Sequence, residues 1–562
     1  MRCVPNGVSR AARDGRNGGD AETAAPATYV RRTVTVNAGA ARLLLVPILL
    51  AYGYIAVGYA RGTPRWNNPD EPAHVNVVRQ IAMMGTLPVL AAGDWDQDLL
   101  DRLRTHWFPN DYEVEGIRYE GHQPPLYYLL ANPVHRLTAS QPINRQILAL
   151  RLFSIAIGAI AVIAAFVVAR EAAPERPVLA VLTAATVAFV PMNTAISAAV
   201  NNDSLATALA AVTLAALMVG RRRGFSDRWA VGLGVLIGAL MLTKLTIYVF
   251  VPLILVTLLA AGRSLRWPAI AAGVGLLVCG WWIVRNMLVY GPLDPLAMVR
   301  HDQVVVGQPR WSAYDLEAVD FFLRILFRSF WGMFGWMGVV LDDGFYILYL
   351  MLTVLSVAGI VVAWMRGPHP GPLPEGEGAS VPTVPPVGAQ FIAPPEGEGS
   401  LRHKDLLGWA ALLVFAEVAY YNLTFIQPQG RYLFPALVPI ALFLSTGWWQ
   451  LASRATLGPL GRLLTAGVLA GAIAWGLGEA AGTIGVATST LRTADSTVRA
   501  QHYWSDGALI AVAVTGALIV LVAPRAVRAR LPVGLALLLA VTLGLLDLAA
   551  LMEFVVPGFP VR

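Results

Sequence analysis

Long apolar segments separated by short polar ones dominate the pattern of this sequence. Each apolar segment is close to the roughly 20 residues that an α-helix needs to cross the hydrocarbon core of a membrane. The alternation therefore predicts an all-α polytopic membrane protein with about 13 transmembrane helices. The predicted spans cover residues 41–60, 148–169, 177–200, 203–219, 229–244, 246–261, 268–284, 344–365, 405–425, 432–452, 463–485, 507–523 and 531–552.

The composition excludes most other classes of protein. Of the 562 residues, 56% are hydrophobic and 14% are charged, whereas soluble domains have about 25% charged residues. Cys3 lies in a polar tail and Cys279 in an apolar segment, and no other cysteine is present, so no disulfide is expected. The net charge is +7. In a membrane protein, basic residues first report orientation, so nucleic acid is not an expected partner.

Clusters of arginine predict which ends of the spans face the cytoplasm, because basic residues are enriched on that side of membrane proteins. The clusters precede the first and last spans and follow the fourth and sixth, which places them on one side. We therefore expect a cytoplasmic N-terminus. The Arg-rich, Lys-poor composition is typical of a bacterial chain, which makes the inner membrane the expected location. The clusters are Arg31, Arg32, Arg221, Arg222, Arg223, Arg263, Arg266, Arg525, Arg528 and Arg530.

Polar stretches divide the chain into four parts. Residues 1–40 are polar and poor in aromatic residues, and residues 366–404 repeat Pro, Gly and Glu. Such compositions cannot bury a core, so both are expected to be disordered cytoplasmic segments. Between them lies a catalytic transmembrane half, 41–365, and after them a C-terminal transmembrane half, 405–562.

Two long loops, 61–147 and 285–343, face outward in this topology and contain amphipathic, aromatic-rich stretches. They predict helices that lie on the outer surface of the membrane. Within the second loop, Phe321–Gly338 is either an interfacial aromatic belt or a platform for sugar or lipid. Asp342 and Asp343 follow it as lesser candidates for a base or a metal site.

The sharpest chemical feature is an acidic pair about ten residues beyond the first span. Asp70 and Glu71 begin a predicted amphipathic helix that also carries His74. Asp70 can cap this helix, and a capped surface helix without chemistry is the alternative interpretation. The helix can also lie against the bilayer and hold its acids near the headgroups, where a general base reaches an acceptor hydroxyl beside a lipid-linked donor. Asp70 is well placed for that role.

Asp203 and Lys244 fall at predicted outer ends of spans. Asp203 lies in a short turn, where it either caps a helix, holds a metal ion or orients the base. Lys244 is one of two lysines in the chain and lies within an apolar run from Trp229 to Ala261. A cation at membrane depth usually marks function, although snorkelling to the interface also explains it. At the outer face, Lys244 can bind a lipid phosphate.

Two arginines complete a candidate anion site. Arg285 closes the seventh predicted span on the outer side, and Arg431 opens the tenth from the same side. A guanidinium offers a bidentate fork to phosphate, and partial burial strengthens the contact. Interfacial snorkelling is the alternative for both residues.

Several of these motifs resemble those of GT-C superfamily glycosyltransferases. These polytopic enzymes use polyprenyl-phosphate sugars and include protein mannosyltransferases and the aminoarabinose transferase of lipid A. Asn68–Val89 is similar to their first outer loop. Further similar segments, in the same order along the chain, are Pro124–Tyr128, Asn201–Ser204, Leu242–Lys244 and Arg431–Pro435.

The resemblance implies a GT-C-like fold and a set of site residues. Asp70 corresponds to the catalytic base, with Glu71 as its neighbour and second candidate. His122 and Gln123 stand where the aminoarabinose transferases have an acid and a lysine, and we expect them to contact substrate phosphate. His122 is alternatively a metal ligand, as is Asp203, or a polar residue before a rigid Pro-Pro turn.

The function implied is that of an inverting glycosyltransferase that moves a sugar from a polyprenyl-phosphate donor to an acceptor hydroxyl at the outer face of the membrane. Lys244, Arg285 and Arg431 would stabilise the leaving phosphate, and a divalent ion, Mg²⁺ or Mn²⁺, is a further expectation. The acceptor is a protein, a lipid or a glycan. Two alternatives stay open: a transporter or flippase of lipid-linked saccharides, and a polysaccharide polymerase or ligase.

Overall fold

The computed structural model describes residues 37–108, 114–262, 264–365, 398–453 and 525–559. The first half of the chain forms the helices α1 (Ala38–Gly62), α2 (Glu71–Met84), α3 (Gln97–Thr105), α4 (Leu126–Thr138), α5 (Ile143–Ala172), α6 (Pro177–Ala188), α7 (Pro191–Ser197), α8 (Asp203–Arg223), α9 (Asp227–Met241), α10 (Phe250–Gly262) and α11 (Arg266–Tyr290). The rest forms α12 (Met298–Val304), α13 (Leu316–Trp331), α14 (Asp343–Met365), α15 (Glu398–Asn422), α16 (Leu437–Ala452) and α17 (Arg525–Ala549).

Shorter elements connect these helices. Three 3₁₀ turns cover Tyr119–His122, Leu245–Ile247 and Gly430–Ala436. A π-helical turn, Ala550–Val555, and a last turn, Val556–Gly558, continue α17. The strands β1 (Met333–Phe334) and β2 (Val339–Val340) form an antiparallel hairpin in which Met333 pairs with Val340 and Phe334 with Val339.

The described part of the chain contains eight helical segments long and apolar enough to cross a membrane, and a bent pair, α6 and α7, adds a ninth candidate. The prediction of an all-α polytopic membrane protein is confirmed, whereas the count of 13 spans is not. The predicted spans 463–485 and 507–523 lie outside the described residues. The eight segments are Ala38–Gly62, Ile143–Ala172, Asp203–Arg223, Leu245–Gly262, Arg266–Tyr290, Asp343–Met365, Gly430–Ala452 and Val533–Gly558.

Two predicted spans are interrupted or short. The predicted span 177–200 bends by 63° between α6 and α7. Pro191 begins α7, and the residue before a proline is disfavoured in helical conformation, so the chain breaks after Ala188. The predicted span 229–244 is the 15-residue helix α9, which ends at Met241 and leaves Lys244 in extended conformation.

Helices predicted in the two outer loops are present as α2, α3 and α4 in the first and as α12 and α13 in the second. The disordered segments predicted at 1–40 and 366–404 lie largely outside the described residues. Their last residues are helical, because α1 begins at Ala38 and α15 at Glu398.

Glycines allow neighbouring long helices to pack backbone against backbone. A Cβ added to Gly359 of α14 would lie 2.1 Å from the carbonyl oxygen of Gly447 in α16, and one added to Gly447 would lie 2.1 Å from that of Ser356. Gly234 of α9 would similarly meet Ala271 of α11 at 2.7 Å. Small residues of this kind permit close approach where lipid supplies no hydrophobic driving force.

Candidate active site

Asp70 lies between α1 and α2, at one end of the helical bundle. Its backbone has a φ of 63°, and its carboxylate does not cap α2, contrary to one sequence interpretation. Instead Oδ2 accepts a hydrogen bond from Arg431 Nη2 at 2.6 Å, and Oδ1 accepts one from the Tyr119 hydroxyl at 2.7 Å. The side chain remains 19% exposed. A left-handed non-glycine residue held by such contacts is a common feature of functional sites.

A chain of alternating charges runs inward from Asp70. Arg431 also contacts Asp203, with 3.4 Å between Nη1 and Oδ2, and Lys244 Nζ lies 2.5 Å from Oδ1 of the same carboxylate. Asp203, Lys244 and Arg431 are each exposed by less than a tenth. The structure therefore brings together four residues predicted as a site: Asp70, Asp203, Lys244 and Arg431.

Breaks in the helices position these side chains. Asp203 is the first residue of α8 and follows the turn that ends the bent pair. Lys244 lies in the break between α9 and α10, and Arg431 lies in the 3₁₀ turn that contains Pro435. Each charge thus stands at the end of a span, where side chains from several spans can meet.

Asp70, His74 and Glu120 form a second group beside this chain. Each offers one ligand-type atom, and these three atoms lie within 4.8 Å of one another. His74 and Glu120 are buried. Within the described part of the chain this is the only group of three such side chains, and neither Asp203 nor His122 belongs to it.

Asp203 and His122 are occupied by other partners. Both oxygens of Asp203 contact cations, as described above. The Nδ1 atom of His122 lies 3.0 Å from the carbonyl oxygen of Tyr119, and its ring is 4.7 Å from that of His301. Gln123, also predicted to bind phosphate, accepts a hydrogen bond from Asn202 at 3.3 Å. His122 and Gln123 thus line the surroundings of the site without touching its ionic chain.

Asp70, His74 and Glu120 differ in their pKa values. Burial raises the pKa of Glu120 to about 8, and the Asp70 carboxylate adds to this effect. Burial lowers the pKa of His74 to about 3. Burial alone would raise the pKa of Asp70, but the Arg431 guanidinium and the Tyr119 hydroxyl hold this pKa well below the usual range of a carboxyl. At neutral pH, Asp70 is therefore ionised and His74 is neutral.

Glu71 faces away from this group, although it adjoins Asp70 in sequence. It is fully buried, and its Oε2 lies 2.6 Å from Arg151 Nη2. Its oxygens also accept hydrogen bonds from the backbone N–H groups of Trp66 and Val200. Arg151 donates in addition to the carbonyl oxygen of Thr63. The geometry favours a structural role for Glu71, tying α1, α5 and the turn before α8 together, instead of the catalytic role predicted.

Arg285 does not join the ionic chain. Its guanidinium donates to the carbonyl oxygen of Pro88 at 2.5 Å and lies 4.9 Å from the ring of Trp282. These contacts hold the first outer loop against the end of α11, so the predicted phosphate contact would require Arg285 to leave them.

The lesser candidates of the second outer loop also lie apart. Asp343 pairs with Arg328, and Asp342 is exposed. In the aromatic segment, the buried Trp331 stacks on Tyr349 with 4.1 Å between ring centroids. This contact packs α13 against α14, so Trp331 has a structural role.

Sequence reasoning missed several residues that hold the site. No motif marks Tyr119. His74 lies beside the acidic pair, but the sequence pattern predicts no role for it. Arg151 carried a usable signal, because it lies inside the predicted span 148–169, and a buried arginine in a span requires an acidic partner.

Comparison with known proteins gives a family match over part of the chain. Residues 122–283 match the family described as dolichyl-phosphate-mannose-protein mannosyltransferase. This segment contains His122, Asp203 and Lys244, and it excludes Asp70 and Arg431. No curated protein sequence gives a significant match.

Several solved structures are similar in fold. The apo crystal structure of ArnT from Cupriavidus metallidurans is 14% identical, with a TM-score of 0.50 over 91% of this chain and 76% of that one. ArnT from the same organism bound to undecaprenyl phosphate is 13% identical, with a TM-score of 0.49 over 91% and 77% of the two chains. The apo oligosaccharyltransferase of Archaeoglobus fulgidus is 12% identical, with a TM-score of 0.41 over 88% and 56%.

Identities this low report the fold alone, and the family match adds sequence similarity over residues 122–283. Together they confirm the resemblance that the motifs predicted: this chain is similar to GT-C glycosyltransferases and shares the helical membrane fold of ArnT.

Proposed function

We propose that this protein is an inverting glycosyltransferase that moves a sugar from a polyprenyl-phosphate donor to an acceptor hydroxyl. The observation that carries the proposal is the ionic chain that joins Lys244, Asp203, Arg431 and Asp70 at one end of the spans. Its cations are buried, and its outermost member, Asp70, is the one that solvent or substrate reaches.

Asp70 is the general base of the proposed reaction. Its carboxylate takes the proton of the acceptor hydroxyl as that oxygen forms a bond to the anomeric carbon of the donor sugar. The bond from this carbon to the phosphate oxygen breaks on the opposite face, so the configuration inverts. The hydrogen bond from Tyr119 fixes the orientation of the carboxylate during this step.

Arg431 and Lys244 stabilise the polyprenyl phosphate that leaves. Negative charge develops on the departing oxygen, and preorganised cations in a water-poor site stabilise such charge strongly. Arg431 is shared between Asp70 and Asp203 in the free protein. When the donor phosphate accepts hydrogen bonds from this guanidinium, the contact of Arg431 with Asp70 weakens, and that contact is what lowers the pKa of Asp70. Donor binding therefore makes Asp70 a stronger base.

A lipid-linked donor fits the position of the site. Asp203, Lys244 and Arg431 stand at the ends of spans, where the phosphate of a membrane lipid lies. The ArnT protein, whose apo form shares the fold, has also been crystallised with undecaprenyl phosphate. This supports a polyprenyl phosphate as the carrier. The proposal also includes the location expected from the arginine clusters and the composition: the inner membrane of a bacterium, with the site on the periplasmic face and the N-terminus in the cytoplasm.

The proposal is tested by following the donor in proteoliposomes. Purified protein is supplied with a panel of labelled polyprenyl-phosphate sugars and membrane acceptors, and free polyprenyl phosphate is measured together with label in the acceptors. A glycosyltransferase releases one lipid phosphate for each sugar transferred. Movement of intact donor across the bilayer without release would instead identify a flippase.

A polymerase or ligase is distinguished by its product and by its residues. Such an enzyme would join lipid-linked saccharides and would keep its activity without Asp70.

Lys244→Met should weaken donor use at least tenfold under the proposed mechanism, because the buried cation next to the phosphate is lost. Arg266→Gln, which breaks an exposed ion pair with Asp227 at the other end of the spans, is the matched control.

A further inference from the structure

The last span carries a carboxyl group that the proposed mechanism does not use. Asp547 lies near the middle of the segment Val533–Gly558 and is fully buried. Among the described residues no cation contacts it. An acid at membrane depth is unfavourable and usually marks a functional position. The contacts of Asp547 therefore indicate what an acid contributes to this span.

Both oxygens of this carboxyl group accept hydrogen bonds from other helices. The Tyr59 hydroxyl of α1 donates to Oδ1 at 3.0 Å, and the Thr194 hydroxyl of α7 donates to Oδ2 at 2.7 Å. Tyr59 and Thr194 are themselves buried. Hydrogen bonds between polar side chains of this kind join helices within a membrane. Asp547 thus links the last span to α1 and to α7 through one side chain.

The two linked helices lead directly to charged residues of the site. Tyr59 lies in the last turn of α1, and the loop after α1 carries Asp70. Thr194 lies in the short helix α7, and the turn after it leads to Asp203 at the start of α8. A shift of either helix would be transmitted to the acid that follows it. Asp547 therefore contacts both elements that carry the acids of the ionic chain.

Packing keeps the last span close to the same two helices. A Cβ added to Gly58 of α1 would overlap the side chain of Leu551, about one turn after Asp547. On the other side, a Cβ at Gly544 would lie 3.4 Å from the ring of Phe189, in the break between α6 and α7. Glycines thus permit a close approach on both sides. The carboxyl group adds the directional contacts that apolar packing lacks.

We propose that Asp547 is a positioning residue for the reaction: it holds α1 and α7, and through them the carboxylates of Asp70 and Asp203, at the separation that Arg431 requires. Arg431 contacts both carboxylates, so their separation decides whether it can do so. The hydrogen bonds of Asp547 are independent of the proposed function, whereas their effect on sugar transfer rests on it. This assignment gives the last span a role in a site that lies on other helices.

The proposal is tested by Asp547→Ala and Asp547→Asn in the full chain. Asparagine can keep both contacts, because its carboxamide accepts a hydrogen bond from one hydroxyl and donates to the other. Alanine keeps neither. The Thr194 hydroxyl still has the carbonyl oxygen of Ala188 at 3.0 Å, and the Tyr59 hydroxyl has the backbone carbonyl oxygen of position 547 at 3.4 Å. The alanine variant should therefore fold, since it also removes an acid from membrane depth.

Hydrogen–deuterium exchange of the protein in detergent measures the positioning without any substrate. In Asp547→Ala, the backbone amides of residues 63–70 and 198–203, which follow the two linked helices, should exchange about tenfold faster or more. Asp547→Asn should match wild type. Thr542→Ala is the matched control in the same helix, because the Thr542 hydroxyl donates to the carbonyl oxygen of Leu538 within that helix. Sugar transfer should fall about tenfold in Asp547→Ala and be restored in Asp547→Asn.

The two hydrogen bonds can also be separated. Tyr59→Phe releases the helix before Asp70, so it should speed exchange in residues 63–70 and lower kcat, with little change in the KM for the donor. Thr194→Val releases the helix before Asp203, whose cationic partners bind the donor phosphate. It should speed exchange in residues 198–203 and raise the KM for the donor. A merely structural role would lower the yield of folded protein without separating kcat from KM.

Wild-type exchange of both segments in Asp547→Ala would overturn the proposal, and so would equal impairment of Asp547→Ala and Asp547→Asn. Faster exchange with unchanged kcat and KM would overturn it as well. If the alanine variant does not fold, Tyr59→Phe and Thr194→Val carry the same test, and wild-type exchange in both would contradict the proposal. Faster exchange in the variants together with no sugar transfer by wild type would refute the proposed function and leave the hydrogen-bonded framework standing.

Discussion

Asp70 and Glu71 are neighbours in sequence, yet each carboxylate is paired with a different arginine. Asp70 pairs with Arg431 and keeps one-fifth of its side chain exposed, whereas Glu71 pairs with Arg151 and is fully buried. The left-handed backbone of Asp70 separates the two side chains at the start of α2. The DE pair in this sequence therefore contains one partly exposed acid, which a substrate can reach, and one buried acid that ties helices together.

Replacement of Glu71 should lower stability far more than it changes the chemistry. Glu71→Gln leaves the buried Arg151 without its counter-charge, and breaking a buried ion pair in this way destabilises proteins by about 3–5 kcal/mol. Thermal unfolding in detergent measures the change. Glu115→Gln, in an exposed pair, should change stability by less than about 1 kcal/mol. Loss of transfer by a Glu71→Gln protein of normal stability would show that Glu71 is catalytic after all.

The ionisation of Asp70 should depend on Arg431. Burial alone would raise the pKa of Asp70, and the guanidinium reverses that effect. In the wild type, the guanidinium holds the pKa of Asp70 well below the usual range of a carboxyl, so the transfer rate should show no acidic decline near neutral pH. In Arg431→Gln the pKa of Asp70 rises, and the acidic limb of the residual kcat/KM should move up by about one pH unit or more. An unshifted limb would contradict the assignment of Asp70 as the titrating base.

Sequence alone could predict that Asp70, Asp203, Lys244 and Arg431 lie together, because each is a charge at or shortly beyond an end of an apolar segment and the predicted topology gives all of them one face. It could not separate Arg285 from this set, since Arg285 has the same position in the pattern. Only the fold shows that Arg285 is bound to Pro88 and Trp282. His74 and Glu120 come together through the folding of a loop, for which the sequence has no periodic signal.

At the level of elements, the turn Gly430–Ala436 positions Arg431 by packing against α13. Gly430 donates its backbone N–H to Ser329 Oγ at 2.8 Å. A Cβ at Gly430 would lie 2.1 Å from the backbone nitrogen of Phe330. Since backbone atoms cannot rotate away as a flexible side chain can, only glycine allows this approach.

Gly430→Ala should therefore displace Arg431 and reduce transfer at least tenfold, and overpacking of this kind destabilises by about 1–3 kcal/mol. Sugar transfer and thermal unfolding measure the two effects. Gly408→Ala in α15 is the control, because a Cβ there meets nothing within 4 Å. Wild-type transfer by Gly430→Ala would mean that this packing does not position Arg431.

The helices themselves were more predictable than their breaks. Apolar length located the spans that begin with α1, α5 and α8 to within a few residues. The bend between α6 and α7 was missed, because the apolar run continues across it, although Pro191 was a readable signal. The break at Lys244 was indicated by the lysine itself, which would be unfavourable inside a continuous span.

At the scale of the whole molecule, the ionic chain and the arginine-rich ends of the spans lie at opposite ends of the same helices. Asp203 begins α8, and Arg221–Arg223 end it. By the positive-inside rule, we expect the end with Asp203 to face outward. Apolar patterning was sufficient to predict a polytopic helical membrane protein, but the count of 13 spans depended on segments that are short, bent or outside the described residues.

Orientation can be measured with single cysteines in a chain that carries Cys3→Ser and Cys279→Ser. Asp342→Cys lies just before α14 at the expected outer end, and Ser264→Cys lies between α10 and α11 at the expected cytoplasmic end; both positions are exposed. A membrane-impermeant maleimide added to intact spheroplasts should label the Asp342→Cys protein. It should label the Ser264→Cys protein only after the inner membrane is permeabilised. The reverse pattern would place the site in the cytoplasm.

The central claim is that Asp70 is the base of a sugar transfer from a polyprenyl phosphate. The most direct measurement is the rate of label transfer from polyprenyl-phosphate sugars to membrane acceptors by wild type, Asp70→Asn and the exposed control Asp342→Asn, at equal amounts of folded protein. The mechanism predicts that Asp70→Asn loses about 100-fold or more of the rate while Asp342→Asn keeps it. Transfer by Asp70→Asn at the wild-type rate would contradict it.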